Sequence, residues 1–239
     1  MEDNFLFEEN HWWFLGRRRI IGNLIGKFFK GTKQSLALDA GCGTGIFLKD
    51  LKRYAVSIGI DRSKVALEYT GRRGCGRIIC ADIGNLPFKD GSFGLITVLG
   101  VLYNESVKDD NRAIEEAYRV LEKDGIMIID EAAYKFLQSR HNISVKGVRR
   151  YTRSQLIGKC KKCGFEILKS SYWNTIMLPL FLLIVGLDKI SAAKQRYAKL
   201  TKIPTRINTF LAHYLYLEAF LMRYIDFPFG PSIVIVAKK

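Results

Sequence analysis

The sequence lacks several features that would place the protein in other classes. It contains no apolar run of the roughly 20 residues that a membrane-spanning helix needs. Its N-terminal segment is acidic and lacks the basic-then-apolar order of a secretory signal, so we expect the protein to fold in a reducing cytoplasm. Its five cysteines are odd in number and irregularly spaced, which argues against a disulfide framework.

The cysteines also do not make a complete zinc motif. Cys160 and Cys163 form one C-x-x-C pair, which supplies two of the four ligands of a structural zinc. The remaining cysteine candidates are Cys75 and Cys80, which the fold predicted below places near the opposite edge of the sheet. We therefore predict no metal site.

Negative charge is scarce as well. The chain has 38 Lys and Arg against 23 Asp and Glu, a formal net charge of +15. Such an excess favours an anionic partner, which would be nucleic acid, anionic lipid or a phosphorylated substrate. A basic surface that is merely solvated is the alternative.

From residue 35 onward, short β-rich runs alternate with helical patterns. This alternation predicts a mostly parallel sheet with right-handed crossovers and helices on both faces. The predicted strands are residues 35–39, 55–60, 77–80, 95–101, 126–129, 165–169 and 232–237.

Two segments flank or interrupt this core. Residues 10–30 carry an apolar stripe at helical spacing, which predicts an amphipathic helix ahead of the sheet. Residues 176–187 are almost wholly apolar and are followed by a cluster of basic residues. The predicted divisions are an N-terminal helical lid (1–34), the core (35–172), an apolar and basic helical insertion (173–228) and a closing strand (229–239).

A glycine-rich loop with the sequence DAGCGTG, residues 39–45, follows the first predicted strand. Glycines there let the backbone approach a ligand, and the next helix begins with unpaired N–H groups. A dinucleotide G-x-G-x-x-G would need glycine where Ile46 stands, so the pattern disfavours nicotinamide and flavin. Asp61 ends the second strand at a spacing that suits the hydroxyls of a ribose, and Asp82 ends the third, where it can accept a hydrogen bond from an adenine amino group.

These segments, in this order, resemble class I S-adenosylmethionine-dependent methyltransferases. Residues 36–45 resemble the family's first motif, residues 59–61 its ribose-binding acid and residues 81–88 its adenine-side loop. The resemblance implies a Rossmann-like fold with a seven-stranded, mostly parallel sheet, and S-adenosylmethionine as cofactor. The cofactor-binding residues that it implies are Asp39, Gly41, Cys42, Gly43, Gly45, Asp61, Arg62, Asp82, Ile83 and Leu99.

The flanks resemble a narrower, type 11-like subgroup of methyltransferases through residues 11–18 (HWWFLGRR), 149–152 (RRYT) and 228–232 (PFGPS). The sequence departs from the family pattern where Gly94 replaces a common Asp, where Gly100 begins GVLYN, and where Gly147 replaces a common second His. The first two departures weaken the case for cofactor contacts beside strand four, and the third weakens the case for a histidine-based mechanism.

The acceptor side offers fewer signals. Methyl transfer from a sulfonium needs orientation and, for hydroxyl or amine acceptors, a base. His141 is the first candidate base because it follows strand five, and Tyr134 is the next; a structural loop histidine is the alternative. Arg149, Arg150 and Tyr151 would suit a phosphate or carboxylate on the acceptor, whereas solvent-facing arginines are the default.

The N-terminal helix has two interpretations. Trp13, Arg17 and Arg18 would form a lid that excludes water and holds the carboxylate of the cofactor. The alternative is a core-packing stripe.

The insertion bears on membrane association. Its apolar part is too short to span a bilayer, but Tyr172 and Trp173 at one end and basic residues beyond the other fit an interfacial hairpin on anionic lipid. A cap over the substrate pocket and a dimer interface are the alternatives; the oligomeric state does not follow.

The sequence thus predicts a methyltransferase acting on a small, glycan or lipid-linked acceptor, cytoplasmic and peripheral on the inner face of the membrane. A nucleic-acid acceptor ranks below these because no appended RNA-binding module is visible. The alternative is a non-catalytic, membrane-associated binding protein that retains the fold.

Overall fold

The computed structural model describes residues 2–138, 146–190 and 203–239. The strands are β1 (Leu36–Ala40), β2 (Val56–Asp61), β3 (Ile78–Cys80), β4 (Phe93–Leu99), β5 (Leu121–Ala132), β6 (Glu166–Trp173) and β7 (Ser232–Lys238). They form one seven-stranded sheet in the order β3-β2-β1-β4-β5-β7-β6. The pairs among β1 to β5 are parallel, whereas β7 is antiparallel to both β5 and β6.

Helices pack on both faces of this sheet. They are α1 (Glu2–Phe7), α2 (Trp12–Phe28), α3 (Ile46–Leu51), α4 (Lys64–Arg72), α5 (Asp110–Val120), α6 (Arg153–Lys162), α7 (Leu178–Ile190) and α8 (Thr205–Leu221). On one face, Ile114 of α5 and Leu156 of α6 join the core; on the other, α2, α3 and α8 bury residues such as Ile21 and Leu215. The predicted sheet and its two helical layers are confirmed.

Local sequence explains where the helices start. Asp109 caps α5 by accepting hydrogen bonds from the amides of Asn111 and Arg112. Thr152 and Gln155 form a reciprocal capping box at the start of α6. Because β1 to β5 are parallel, their carboxyl ends meet at one edge of the sheet, and the crevice at this edge contains the candidate site.

Two expectations are corrected in the strands. β6 continues to Trp173, where Tyr172 and Trp173 are buried, so these residues pack in the core and do not anchor an interfacial hairpin. Gly94 lies near the amino end of β4, where an added Cβ would meet Glu122 and Phe29. The departure at Gly94 therefore does not count against cofactor contacts, because the crevice lies at the other end of the strand.

The region between β6 and β7 contains α7 and α8. A short 3-10 helix, Thr175–Met177, precedes α7 and is hydrogen-bonded to Glu218 and Tyr214 of α8. Among the described residues, no helix combines the length and apolar composition needed to cross a membrane. Most of the predicted basic cluster falls on residues 191–202, outside the described residues.

Candidate functional site

Glycines shape the loop between β1 and α3. Gly41 and Gly45 have φ values of +84° and +82°, which L side chains rarely adopt. An added Cβ would collide with Val101 at the first position and with Thr70 at the second. A Cβ on Gly43 would meet no atom within 4 Å, so this part of the loop is open to a ligand.

Asp39 lies next to the loop, near the end of β1, and is 2% exposed. Its Oδ1 accepts a hydrogen bond from Thr97 Oγ1 at 2.8 Å. Burial raises the pKa of Asp39 to about 7, against the opposing effects of this bond and of the Arg17 charge. A buried carboxylate of this kind favours a cationic ligand group. Cys42 is buried beside Gly59, and its amide already donates to the Ile60 carbonyl at 2.8 Å, so neither its thiol nor its N–H is open to a ligand.

Backbone amides hold the carboxylates at the ends of β2 and β3. Asp61 accepts hydrogen bonds from Gly43 N at 3.0 Å and Ser63 N at 2.8 Å. Asp82 accepts one from Gly84 N at 2.8 Å, while its other oxygen lies 3.3 Å from Arg62 Nη1. The acids of the predicted ribose and adenine positions are thereby oriented before a ligand arrives.

A cavity of about 50 Å³ lies between these acids and the loop after β4. Its lining residues are Gly41, Ile60, Asp61, Arg62, Ala81, Ile83, Val101, Ser106 and Val107. This volume holds one or two water molecules, so it is too narrow for a purine. Arg62 spans it by donating from Nη1 to the Ser106 carbonyl at 2.6 Å.

Arg17 extends from α2 to the ends of β4 and β5. Its Nε lies 2.6 Å from Asp130 Oδ2, and its Nη2 approaches Gly100. The other oxygen of Asp130 accepts a hydrogen bond from Trp173 Nε1 at 2.6 Å. Burial raises the pKa of Asp130, and the Arg17 charge opposes that rise. Arg17 is therefore the cation that compensates a buried acid at the crevice.

Glu131 holds the loop that follows β4. Its Oε1 accepts hydrogen bonds from Val101 N at 2.9 Å and Leu102 N at 2.7 Å. Burial raises the pKa of Glu131 to about 8, although these hydrogen bonds oppose the rise. The half-buried Leu99, predicted to contact the cofactor, ends β4 directly before this loop.

The N-terminal segment packs on the glycine loop. Glu8 is buried and accepts a hydrogen bond from the Thr44 hydroxyl, and Arg73 Nη2 lies 3.1 Å from Glu8. Trp13 packs against Trp173 with ring centroids 5.8 Å apart and lies under the Arg17 guanidinium.

The structure does not bring Arg18 to this group. Arg18 instead forms a two-pronged ion pair with Asp50 on the outer side of α3.

Aromatic rings line the acceptor side after β5. Tyr134 stacks between Phe136 and Tyr172, with centroid distances of 5.0 and 5.1 Å. Its φ of +54° is unusual for a residue with a side chain. Burial raises the pKa of Tyr134 above its ordinary value.

The three residues of the 149–151 segment differ in their roles. Arg149 donates to backbone carbonyls of the loop after β4, including Val107 O at 2.8 Å, and the Tyr151 hydroxyl lies 2.8 Å from Asp110 Oδ2. Arg150 donates to Ala133 O at 2.7 Å, but its buried Nε has no partner among the described residues. Burial lowers the pKa of Arg150 to about 10.

One predicted residue cannot be located, and three acids near the crevice were not predicted. His141 lies outside the described residues. Sequence reasoning missed Asp130, Glu131 and Glu8. The first two had a usable signal, because adjacent acids at the end of an apolar strand are unusual in a sheet interior. Glu8 had none, since it sits in an acidic N-terminal segment.

Comparison with known proteins identifies the central part of the chain. Residues 38–129 match the family model described as "Methyltransferase domain". The human protein named "Probable tRNA methyltransferase 9B" is 38% identical over 141 residues, which are 55% of this chain and 30% of the human protein. The demethylmenaquinone methyltransferase of Thermotoga maritima is 40% identical over 98 residues, which are 39% of this chain and 42% of that protein. The chain thus spans less than half of either relative.

The fold is also found in solved structures. The S-adenosylmethionine-dependent methyltransferase of Archaeoglobus fulgidus has a TM-score of 0.58 and 19% identity, with coverage of 98% of this chain and 99% of that one. At this identity the likeness shows the fold alone. The chain thus has this fold, and its residues 38–129 match a methyltransferase domain, which favours S-adenosylmethionine as the cofactor.

Proposed function

We propose that the protein transfers the methyl group of S-adenosylmethionine to an amphipathic, lipid-linked acceptor at a membrane surface. One observation carries the acceptor part of the proposal. The apolar helix α7 packs against the 3-10 helix Lys135–Leu137, directly after Tyr134, so exposed apolar surface borders the aromatic entrance to the crevice. Leu180 and Leu183 of α7 are 50% and 60% exposed.

With Arg62 moved away from Ser106, each group of the cofactor has a proposed partner in the crevice. The buried Asp39 carboxylate suits its ammonium, and the Nη atoms of Arg17, which have no hydrogen-bond partner among the described residues, suit its carboxylate. Asp61 suits the ribose hydroxyls, and Asp82 with Ile83 suits the adenine once Arg62 releases Ser106. In this proposal Gly43 gives the open approach along the loop.

The residues orient the reaction and exclude water. S-adenosylmethionine supplies a methyl group on a sulfonium, which leaves by in-line displacement. In its ionised form the buried Asp39 carboxylate favours that positive charge in the crevice. Glu8 covers the glycine loop from the N-terminal side through Thr44, and Trp13 packs under the Arg17 guanidinium.

Tyr134 positions the acceptor through its ring rather than as a base, because burial raises the pKa of its hydroxyl. Arg150 is the candidate partner for an anionic acceptor group, since Arg149 is already bonded to carbonyls. His141 stays the predicted base for a hydroxyl or amine acceptor.

A second acceptor class is RNA. The net charge of +15 and the human relative named for tRNA favour it. The exposed apolar residues of α7 favour the lipid-linked class, because an RNA surface gives them nothing to bury against. A protein that binds the cofactor without turnover is the remaining alternative.

Transfer of labelled methyl groups tests the proposal. The protein is incubated with labelled S-adenosylmethionine and, separately, with membrane lipid extract, glycan extract and total tRNA. We expect label in the lipid extract, a strong loss of transfer in Asp61→Asn, and little change in Asp90→Asn, which removes an exposed carboxylate. Label confined to tRNA, or binding without transfer to any extract, contradicts the proposed acceptor.

A further inference from the structure

The outer side of α8 carries a row of large apolar residues. Phe210, Leu217 and Phe220 of α8, with Tyr224 just beyond its end, are each at least 51% exposed; we call these four residues the apolar ridge. Leu217 follows Phe210 by seven residues, so both lie on one line of the helix. The sole acidic residue of α8, Glu218, is buried. Ridges of this kind mark interaction sites more often than solvated surface.

A cleft of about 300 Å³ lies beside this helix, between α2, α3 and α8. We call it the arginine cleft; its lining residues are Leu15, Arg18, Arg19, Gly22, Asn23, Asp50, Arg53, Tyr54 and Tyr216. Three of these residues are arginines and one is an acid, which leaves two positive charges in excess. The cleft lies outside the methyl-transfer crevice, at the outer side of α3.

The arginines of the cleft are held by an acid and an aromatic ring. Asp50 binds Arg18 through two hydrogen bonds and lies 3.7 Å from Arg53. Arg19 stacks over the Tyr216 ring at 5.8 Å and has no acidic partner among the described residues. The planar guanidinium of Arg19 and the exposed one of Arg53 therefore keep donors free for an anion, and arginine matches phosphate oxygens in geometry.

The cleft and the apolar ridge adjoin each other. Tyr216 lines the cleft, and Phe220 of the ridge follows it by one helical turn on the same side of α8. An apolar surface next to a pocket for phosphate oxygens matches the two chemical parts of a phospholipid.

We propose that the arginine cleft binds the phosphate of an anionic phospholipid headgroup while the apolar ridge enters the interfacial region of the same membrane. This inference rests on the proposed function for its membrane, but it names a separate site. Free phosphate has the same chemistry as the headgroup, so the test must distinguish the two sources.

Co-sedimentation with vesicles tests the site, using the full chain. We compare vesicles of phosphatidylcholine with vesicles that contain about one-third phosphatidylglycerol. The double variant Arg19→Gln/Arg53→Gln should bind the anionic vesicles about 25-fold more weakly, at about fivefold per basic residue. The double variant Lys161→Gln/Lys162→Gln, which removes two exposed charges from α6 at the far edge of the sheet, should change binding less than about twofold.

Separate experiments test the apolar ridge and the source of the phosphate. Phe210→Ser/Leu217→Ser should also weaken vesicle binding, because both side chains are exposed and their loss leaves the fold intact. Glycerol 3-phosphate should compete only weakly with vesicles. Strong binding of glycerol 3-phosphate without vesicle binding overturns the membrane source and leaves a soluble phosphate site.

Three other outcomes overturn the proposal. They are equal losses in the two charge variants, competition by tRNA in place of vesicles, and a dimer in sedimentation velocity that Phe210→Ser/Leu217→Ser dissolves. Calorimetry with S-adenosylmethionine and the methyl-transfer assay run in parallel. Vesicle binding without lipid methylation contradicts the proposed acceptor but supports the arginine cleft as a lipid site. Lipid methylation that does not depend on Arg19 and Arg53 supports the acceptor but contradicts the lipid site.

Discussion

The two halves of the crevice use their polar side chains differently. In the proposed cofactor half, at the ends of β1 to β3, Asp61 and Asp82 are held by backbone amides. In the proposed acceptor half, after β5, Arg149 donates its hydrogen bonds to backbone carbonyls of the loop after β4. The buried Nε of the adjacent Arg150 has no partner among the described residues.

This difference shows which side-chain positions local sequence patterns can predict and which they cannot. An acid at the end of a parallel strand has its position fixed by the sheet. An arginine in a loop has no such constraint, so its role depends on which carbonyls the chain brings near it. The first prediction tests the residue that joins the two halves.

Arg17→Gln should have the largest effect. The substitution leaves Asp130 buried without its cation, which costs about 3–5 kcal/mol in the free energy of unfolding. It also removes the proposed partner of the cofactor carboxylate, so affinity for S-adenosylmethionine should fall by about 100-fold. Denaturant unfolding and calorimetry measure the two effects.

Lys159→Gln provides the matched control, because it breaks the Lys159–Asp110 ion pair at 3.0 Å, away from the cofactor positions. It should lower stability and leave cofactor affinity within about twofold. Equal affinity losses in both variants would show that Arg17 acts through stability alone.

Gly16→Ala should disturb the packing of α2 on α8. An added Cβ would lie 2.5 Å from Leu215 Cβ, so the free energy of unfolding should fall by about 1–3 kcal/mol. Gly26→Ala in the same helix meets no atom within 4 Å and should be neutral or stabilising by up to about 1 kcal/mol. Equal thermal shifts in the two variants would argue against the close packing of α2 on α8.

Asp39 should make cofactor binding depend on pH. Its pKa is raised to about 7, so below that pH a proton must leave before Asp39 can bind the cofactor ammonium. Affinity should therefore fall toward tenfold per pH unit as the pH drops below 7 and level off above it. Calorimetry in two buffers of different ionisation enthalpy counts the proton.

The variant Asp39→Asn should flatten this pH profile. A profile that stays steep in the variant assigns the proton to another group.

Arg62→Ala should have the smallest effect. Removing the contact with Ser106 opens the narrow cavity, so the association rate for S-adenosylmethionine should rise a few-fold. The loss of the Arg62–Asp82 contact should offset part of this rise in rate. Stopped-flow fluorescence measures the rate. An unchanged rate would show that Arg62 does not control entry.

Much of the fold and of the cofactor half follows from the sequence. The alternation of strand and helix patterns predicts the sheet, and the structure places the glycine loop and Asp61 at the carboxyl ends of β1 and β2. Trp173 is different: an aromatic residue beside an apolar run fits both a membrane interface and a core, and only its contact with Asp130 decides. Arg18 likewise adjoins Arg17 in sequence, yet helical rotation directs it to Asp50.

Calorimetric titration with S-adenosylmethionine tests the central claim, that the ends of β1 to β3 form a cofactor site. The account predicts saturable one-to-one binding that Asp61→Asn weakens strongly and Asp90→Asn leaves unchanged. An absence of binding at millimolar cofactor, or equal binding by both variants, would contradict it.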